Sequence, residues 1–143
     1  MRIVIGSDHA GYLLKQELQN RLGGEGFSVI DVGTHSTDPV DYPDYAALVA
    51  RAVVDGRADR GIVVCGSGAG AEIAANKVKG IRCVQAQDTY TARQAVEHDD
   101  ANLMALGARV IGEELAWNIV QAFTGAEFSG EERHLRRLRK IAD

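Results

Sequence analysis

Residues 61–77 read GIVVCGSGAGAEIAANK, and the change of texture along them decides the fold. Gly61 to Cys65 is a short, nearly continuous apolar run, the pattern of a strand covered on both faces. Gly66, Gly68 and Gly70 then alternate with small residues, and from Ala71 to Val78 apolar residues recur at three and four, which predicts a helix. Strand, glycine loop and helix in direct succession make the first half of a βαβ crossover.

The same alternation extends in both directions. Apolar runs at Ile3 to Ile5, Phe27 to Val32, Ile81 to Ala86 and Leu103 to Leu106 predict four more strands. Helical periodicity covers Leu13 to Leu22, Tyr45 to Val54, Thr91 to Glu97 and Glu114 to Phe123. The expected fold class is α/β, with a five-stranded parallel sheet and helices on both faces. Ser129 to Ile141 predicts a C-terminal extra helix opened by a capping box, Ser129 with Glu132, and placed to pack on a neighbouring subunit. With no linker, repeat or low-complexity tract, residues 1–143 read as one domain, and a chain of 143 residues can bury a core without staples.

Composition excludes several classes of function. A net charge of −4 argues against nucleic acid and against an anionic membrane as partners. Against that balance, Arg133, Arg136, Arg137, Arg139 and Lys140 crowd one end with no acid among them, which suits a small anion. Two cysteines do not make a disulfide framework, and Cys65 and Cys83 read as free thiols of a reducing compartment. The apolar run at the N-terminus is too short for a signal or a span, so the expected location is the cytoplasm.

Ligands of open parallel sheets bind beyond the carboxyl ends of the strands, so those ends hold the candidate chemistry. Alternate glycines in Gly66-Ser67-Gly68-Ala69-Gly70 let the backbone approach a ligand and aim several N–H groups at one point, which holds an anion. Cys65 stands at the edge of the next helix's positive end, where a thiol becomes a usable base or nucleophile; the alternative is a buried cysteine closing a strand. A P-loop is excluded because no Gly-Lys-Ser/Thr follows. Gly66, Gly68 and Ala71 satisfy a dinucleotide fingerprint formally, with Asp88 spaced for a ribose, yet the motif follows the third strand and leaves no room for a second domain. No HExxH or CxxC occurs, so no metal is expected. Asp8-His9 reads as a helix cap with a polar neighbour or as site chemistry. Asp44 beside Tyr42 reads as a cap of the second helix, and Arg109 as an anion contact or a surface salt bridge.

Taken together, SDHAG (7–11), DVGT (31–34), DYPDYA (41–46), GIVVCGSGAGAEIAANK (61–77), GIR (80–82), EHDDANLMALGARVIG (97–112) and RHLRR (133–137) resemble the ribose-5-phosphate isomerase B family over essentially the whole chain. Galactose-6-phosphate isomerase subunits are related to it. The resemblance implies a Rossmann-like three-layer αβα sandwich and an aldose-ketose isomerase of sugar phosphates. It also implies a homodimer or dimer of dimers with shared active sites and no cofactor. By the same resemblance Cys65 is the general base, while Ser67 and the N–H groups of Gly68, Ala69 and Gly70 stabilise an enediolate. Some relatives use a glutamate six positions later, where this chain has Ala71, with Glu72 one residue off and pointing elsewhere. His98 opens the sugar ring with Asp8 assisting. His9, Arg109, Arg133 and Arg137 hold the phosphate, with His134, Tyr42 and Gly66 nearby. The family usually has Asn where this chain has Asp99, which exchanges an amide for an acceptor-only carboxylate among the sugar contacts. The alternatives are a six-carbon substrate, such as allose 6-phosphate or galactose 6-phosphate, and a non-catalytic module that binds sugar phosphates or nucleotides.

Overall fold

A computed structural model describes residues 1–142. Its elements alternate as β1 (Arg2–Ser7), α1 (Tyr12–Gly24), β2 (Ser28–Asp31), α2 (Tyr42–Val54), β3 (Arg60–Cys65), α3 (Ala69–Ala75), β4 (Cys83–Gln85), α4 (Thr89–Asp99), β5 (Leu103–Gly107), α5 (Glu113–Gly125) and α6 (Glu132–Ile141). All four strand pairings are parallel, in the order β2-β1-β3-β5-β4. The expected five strands and C-terminal extra helix are present, and the ends differ by a few residues.

Continuous apolar strands arise because both faces are covered. Ile3, Ile5, Ile62, Val64, Met104 and Leu106 point to one face and pack with Leu18 and Leu22 of α1, Val96 of α4 and Ile119 and Phe123 of α5. The alternate residues Val4, Val63, Cys65, Leu103 and Ala105 point the other way, against Ala46, Val49 and Ala50 of α2 and Ala71 and Ala75 of α3. Three layers result. Packing on the α2 side is close, since a Cβ on Gly61 would lie 2.6 Å from the Val49 side chain.

Polar contacts tie the layers and the exposed sheet edge. Lys15 of α1 is fully buried and donates to both carboxylate oxygens of Asp31 at 2.7 Å, and Asp31 also accepts from the Gly33 N–H at 2.9 Å. On the outer edge of β4, Asn76 brackets Cys83 by accepting from its N–H and donating to its carbonyl. Glu72 accepts from the Gln85 N–H. Side chains of α3 thus satisfy backbone groups that an edge strand otherwise leaves open.

Two local expectations are corrected. α2 starts at Tyr42 with Pro43 in its first turn, and its N-cap is Asp41, so Asp44 lies inside the helix and does not cap it. Pro43 is compatible because the first turn has no N–H to lose. The capping box at Ser129 does not form, because α6 begins at Glu132 behind an N-cap at Glu131. Ser129 instead accepts from the Glu131 N–H and bonds His134. Within the chain α6 is anchored by His134, which is 2% exposed and stacks on His98 of α4. Among the described residues no helix is long and apolar enough to cross a membrane.

Candidate active site

Strand order places the site. After β2 the chain returns past β1 to lay down β3, so the switch point falls between β1 and β3. At the carboxyl end of these strands a cleft of about 440 Å³ is lined by Asp8, Tyr42, Cys65, Gly66, Ser67, Gly70, Arg109 and Val110. Each comes from a strand end, the loop beyond it or the first turn of the next helix.

The glycine loop is shaped by what presses on it. Gly68 is the N-cap of α3 with φ of 86°, a left-handed conformation that favours glycine. A Cβ on Gly70 would lie 2.5 Å from the Tyr42 ring, so glycine here lets Tyr42 lie on the loop. Cys65 is 4% exposed, and its Sγ accepts the Gly68 N–H at 3.2 Å, the kind of donor that stabilises negative charge on sulfur. Ser67 Oγ accepts the Ala69 N–H at 3.2 Å. Two of the expected oxyanion donors, the Gly68 and Ala69 N–H groups, are thus directed at the sulfur and the hydroxyl of their own loop.

Asp8 does not cap α1, whose N-cap is Gly11 with no side-chain cap bond. One carboxylate oxygen accepts the Gly11 N–H at 3.1 Å, shaping the turn into α1, while the residue also lines the cleft. His9 accepts the Val40 N–H on Nδ1 at 3.1 Å, so the neutral ring carries its proton on Nε2. Arg109 lies over Gly66, with Nη1 3.4 Å from where a Cβ would sit, and forms no salt bridge among the described residues. Glu72 points away to β4, where Gln85 holds it. Asp88 caps α4 through the Thr91 N–H at 2.6 Å, an occupation that removes it as a ribose ligand.

A second group of expected site residues lies elsewhere. His98 sits in the last turn of α4, five residues before β5 begins, whereas Cys65 pairs with Gly107 at the far end of β5. The length of β5 separates the two ends of the sheet by about 13 Å at ~3.3 Å per residue. Asp99 is exposed beside His98, and α6 brings His134, Arg133 and Arg137 to the same end. The cooperation expected between Asp8 and His98 is therefore not made within one chain. Arg133 is held by Glu131 at 2.8 Å, and Arg137 is exposed one turn further on. His98 and His134 stack with ring centroids 4.2 Å apart, and His134 Nδ1 lies 2.6 Å from Ser129 Oγ. Burial foremost, then the His98 and Arg133 charges, holds the His134 imidazole below its ordinary range.

That direction fixes a pH dependence. The unfolded chain protonates His134 before the folded one does, so its contribution to stability is complete above the ordinary imidazole value and is lost as pH falls through the folded one. The urea midpoint of the wild type is expected to fall between about pH 7.5 and about pH 5.5, and His134→Gln to flatten that slope. Equal slopes in the two proteins would remove His134 from the dependence.

Sequence reasoning missed Gln85, whose side chain donates to the Ser67 carbonyl at 2.6 Å. Its one signal was a glutamine inside the short apolar run of β4.

The chain and its fold are similar to known proteins. Residues 3–141 match the family model described as Ribose/Galactose Isomerase. Ribose-5-phosphate isomerase B of Escherichia coli (strain K12) is 46% identical over 140 residues, covering 98% of this chain and 93% of that protein. A D-erythrulose-4-phosphate isomerase of Pectobacterium atrosepticum is also 46% identical, over 91% of this chain and 86% of its own. A solved structure of Clostridium thermocellum ribose-5-phosphate isomerase B superposes with a TM-score of 0.96 at 53% identity, covering 99% of this chain and 95% of that one. With the family match running over nearly its whole length, and the solved structure superposing over 99% of it, the chain belongs to the ribose/galactose isomerase family and is an isomerase.

Proposed function

We propose that this enzyme interconverts ribose 5-phosphate and ribulose 5-phosphate through an enediolate, with Cys65 as general base. The observation that carries the reading is the buried Cys65 sulfur lining the cleft with a backbone N–H already directed at it. In the open-chain aldose the thiolate takes the C2 proton, and the electron pair forms the C1–C2 double bond. Negative charge then gathers on O1, a proton passes from O2 to O1, and the thiol returns its proton to C1 to leave the ketose. A proton next to a carbonyl is too weakly acidic for a base alone, and a donor fixed at the developing oxyanion contributes about 3 kcal/mol. The Ser67 hydroxyl and the Gly70 N–H supply that role.

His98 opens the sugar ring, and Arg133 and Arg137 hold the phosphate with His9 and Arg109, so that a non-reacting dianion orients the sugar. Because His98 and both α6 arginines belong to the opposite end of their own chain, they meet Cys65 across a subunit boundary. The working form is then a homodimer, or a dimer of dimers, of single isomerase domains spanning residues 1–143. Two buried free cysteines suit work in the cytoplasm.

The identity of the sugar turns on Asp99 and on the cleft. Relatives named for a pentose and for a tetrose phosphate share the same 46% identity, so identity alone does not select carbon number. The deciding measurement is kcat/KM of the purified protein, in EDTA, on erythrulose 4-phosphate, ribose 5-phosphate and allose 6-phosphate. The pentose phosphate is expected to be turned over best. No turnover on any of them would overturn the reading, and a higher value on the tetrose or hexose would reassign the substrate.

A further inference from the structure

We propose that Gln85, a β4 residue, is a positioning residue that sets the reactivity of Cys65 by fixing the Ser67–Gly68 peptide. The proposal rests on Cys65 being the working thiol and adds what holds it ready.

The two contacts that matter belong to one peptide group. Gln85 Nε2 donates to the Ser67 carbonyl at 2.6 Å, and the N–H on the other side of that peptide bond, Gly68 N–H, donates to Cys65 Sγ at 3.2 Å. A planar trans peptide points its C=O and N–H in opposite directions, so holding the carbonyl aims the N–H. The loop needs such a hold, because glycines at 66, 68 and 70 leave its peptides free to rotate. Chemistry fixes the amide orientation too, since only Nε2 can donate to a carbonyl. A carbonyl that accepts one bond also polarises the N–H that donates the next.

The anchor is itself anchored. Glu72 of α3 accepts the Gln85 N–H at 3.0 Å, and Gln85 pairs with Ala105 in the sheet. Gln85 also packs on Gly68, where a Cβ would lie 3.3 Å from its Cγ. On β5, a Cβ on Gly107 would lie 2.5 Å from the Ser67 oxygen, so glycine there gives the carbonyl its seat. Asp8 from the end of β1, Tyr42 of α2 and Arg109 beyond β5 are the charged and titratable groups that share the cleft with Cys65, and Glu72 is the one on α3. None of them bonds the Ser67–Gly68 peptide.

Iodoacetamide alkylation of the full chain followed against pH reads the thiolate at Cys65, because burial pushes the Cys83 thiol far up and out of the measurement. Gln85→Met keeps the length of the side chain and removes the donor. Gln85→Glu keeps the shape and turns an acceptor onto the carbonyl. In Gln85→Met, alkylation at about pH 7 is expected to slow roughly threefold to tenfold, with the gap closing by about pH 10. In Gln85→Glu the loss is expected to be larger, and in both variants kcat falls while KM stays put. A uniform loss at every pH would mean that Gln85 only supports the fold, and profiles that superpose on the parent's would also overturn the proposal. Should the profiles shift as expected while Cys65→Ala still isomerises, the role of Gln85 would stand and the general-base assignment would fall.

Discussion

Cys65→Ala is expected to lower kcat on ribose 5-phosphate by about 10²–10⁴-fold, the range typical of losing a positioned general base, with KM changed by less than about threefold. Within the cleft the substitution removes the atom that accepts the Gly68 N–H and leaves Arg109, Ser67 and Tyr42 in place. Substrate binding rests on groups the change does not touch, so the loss belongs to kcat. Cys65→Ser makes the assignment sharper. Its hydroxyl can still accept the Gly68 N–H and so keeps the loop, yet it is far too weak an acid to ionise near neutral pH, and its activity should fall as far as that of the alanine variant. A Cys65→Ala protein that keeps more than about a third of the parent kcat would remove the thiol from the chemistry. Glu72, facing β4, offers no substitute base.

How far the sequence foretold this arrangement differs between the fold and the site. Strand and helix order was legible because apolar period follows burial directly, and burial on both faces of β1, β3 and β5 left runs such as Ile3 to Ile5 unbroken. Helix starts were less legible because they depend on which nearby group captures an N–H. Ser129 was free to cap α6 by composition, but His134, drawn against His98, engages its hydroxyl. At the site, Cys65, Ser67, Asp8, Tyr42 and Arg109 were found because strand ends of a parallel sheet converge. Composition and spacing carry no sign of where a peptide N–H points, so neither the capture of the Gly68 N–H by sulfur nor the hold of Gln85 on the peptide could be read. Nor does spacing reveal that α4 carries His98 away from Cys65 as it descends the sheet. That separation follows once β5 is known to run from beside His98 to beside Cys65.

A mixture of two inactive proteins is the strongest test of that separation. Cys65→Ala lacks the base but keeps His98, and His98→Gln lacks the ring-opening group but keeps the base; each alone should be severely impaired on the cyclic sugar. If every site joins the cleft of one chain to the α4 and α6 end of its partner, a heterodimer holds one site with both defects and one with neither. Random reassortment of equal amounts makes about half of the dimers mixed, and half of their sites whole, so activity should return to about one quarter of the parent value. Were His98 to serve the cleft of its own chain, every site would carry one defect and mixing would restore nothing. The expected yield also discriminates by geometry, because Arg137→Ala mixed with Cys65→Ala should complement as His98→Gln does, its guanidinium standing at the same end of the chain. Arg109→Ala mixed with Cys65→Ala should not, since both groups line the same cleft and every site of a mixed dimer carries one defect or the other.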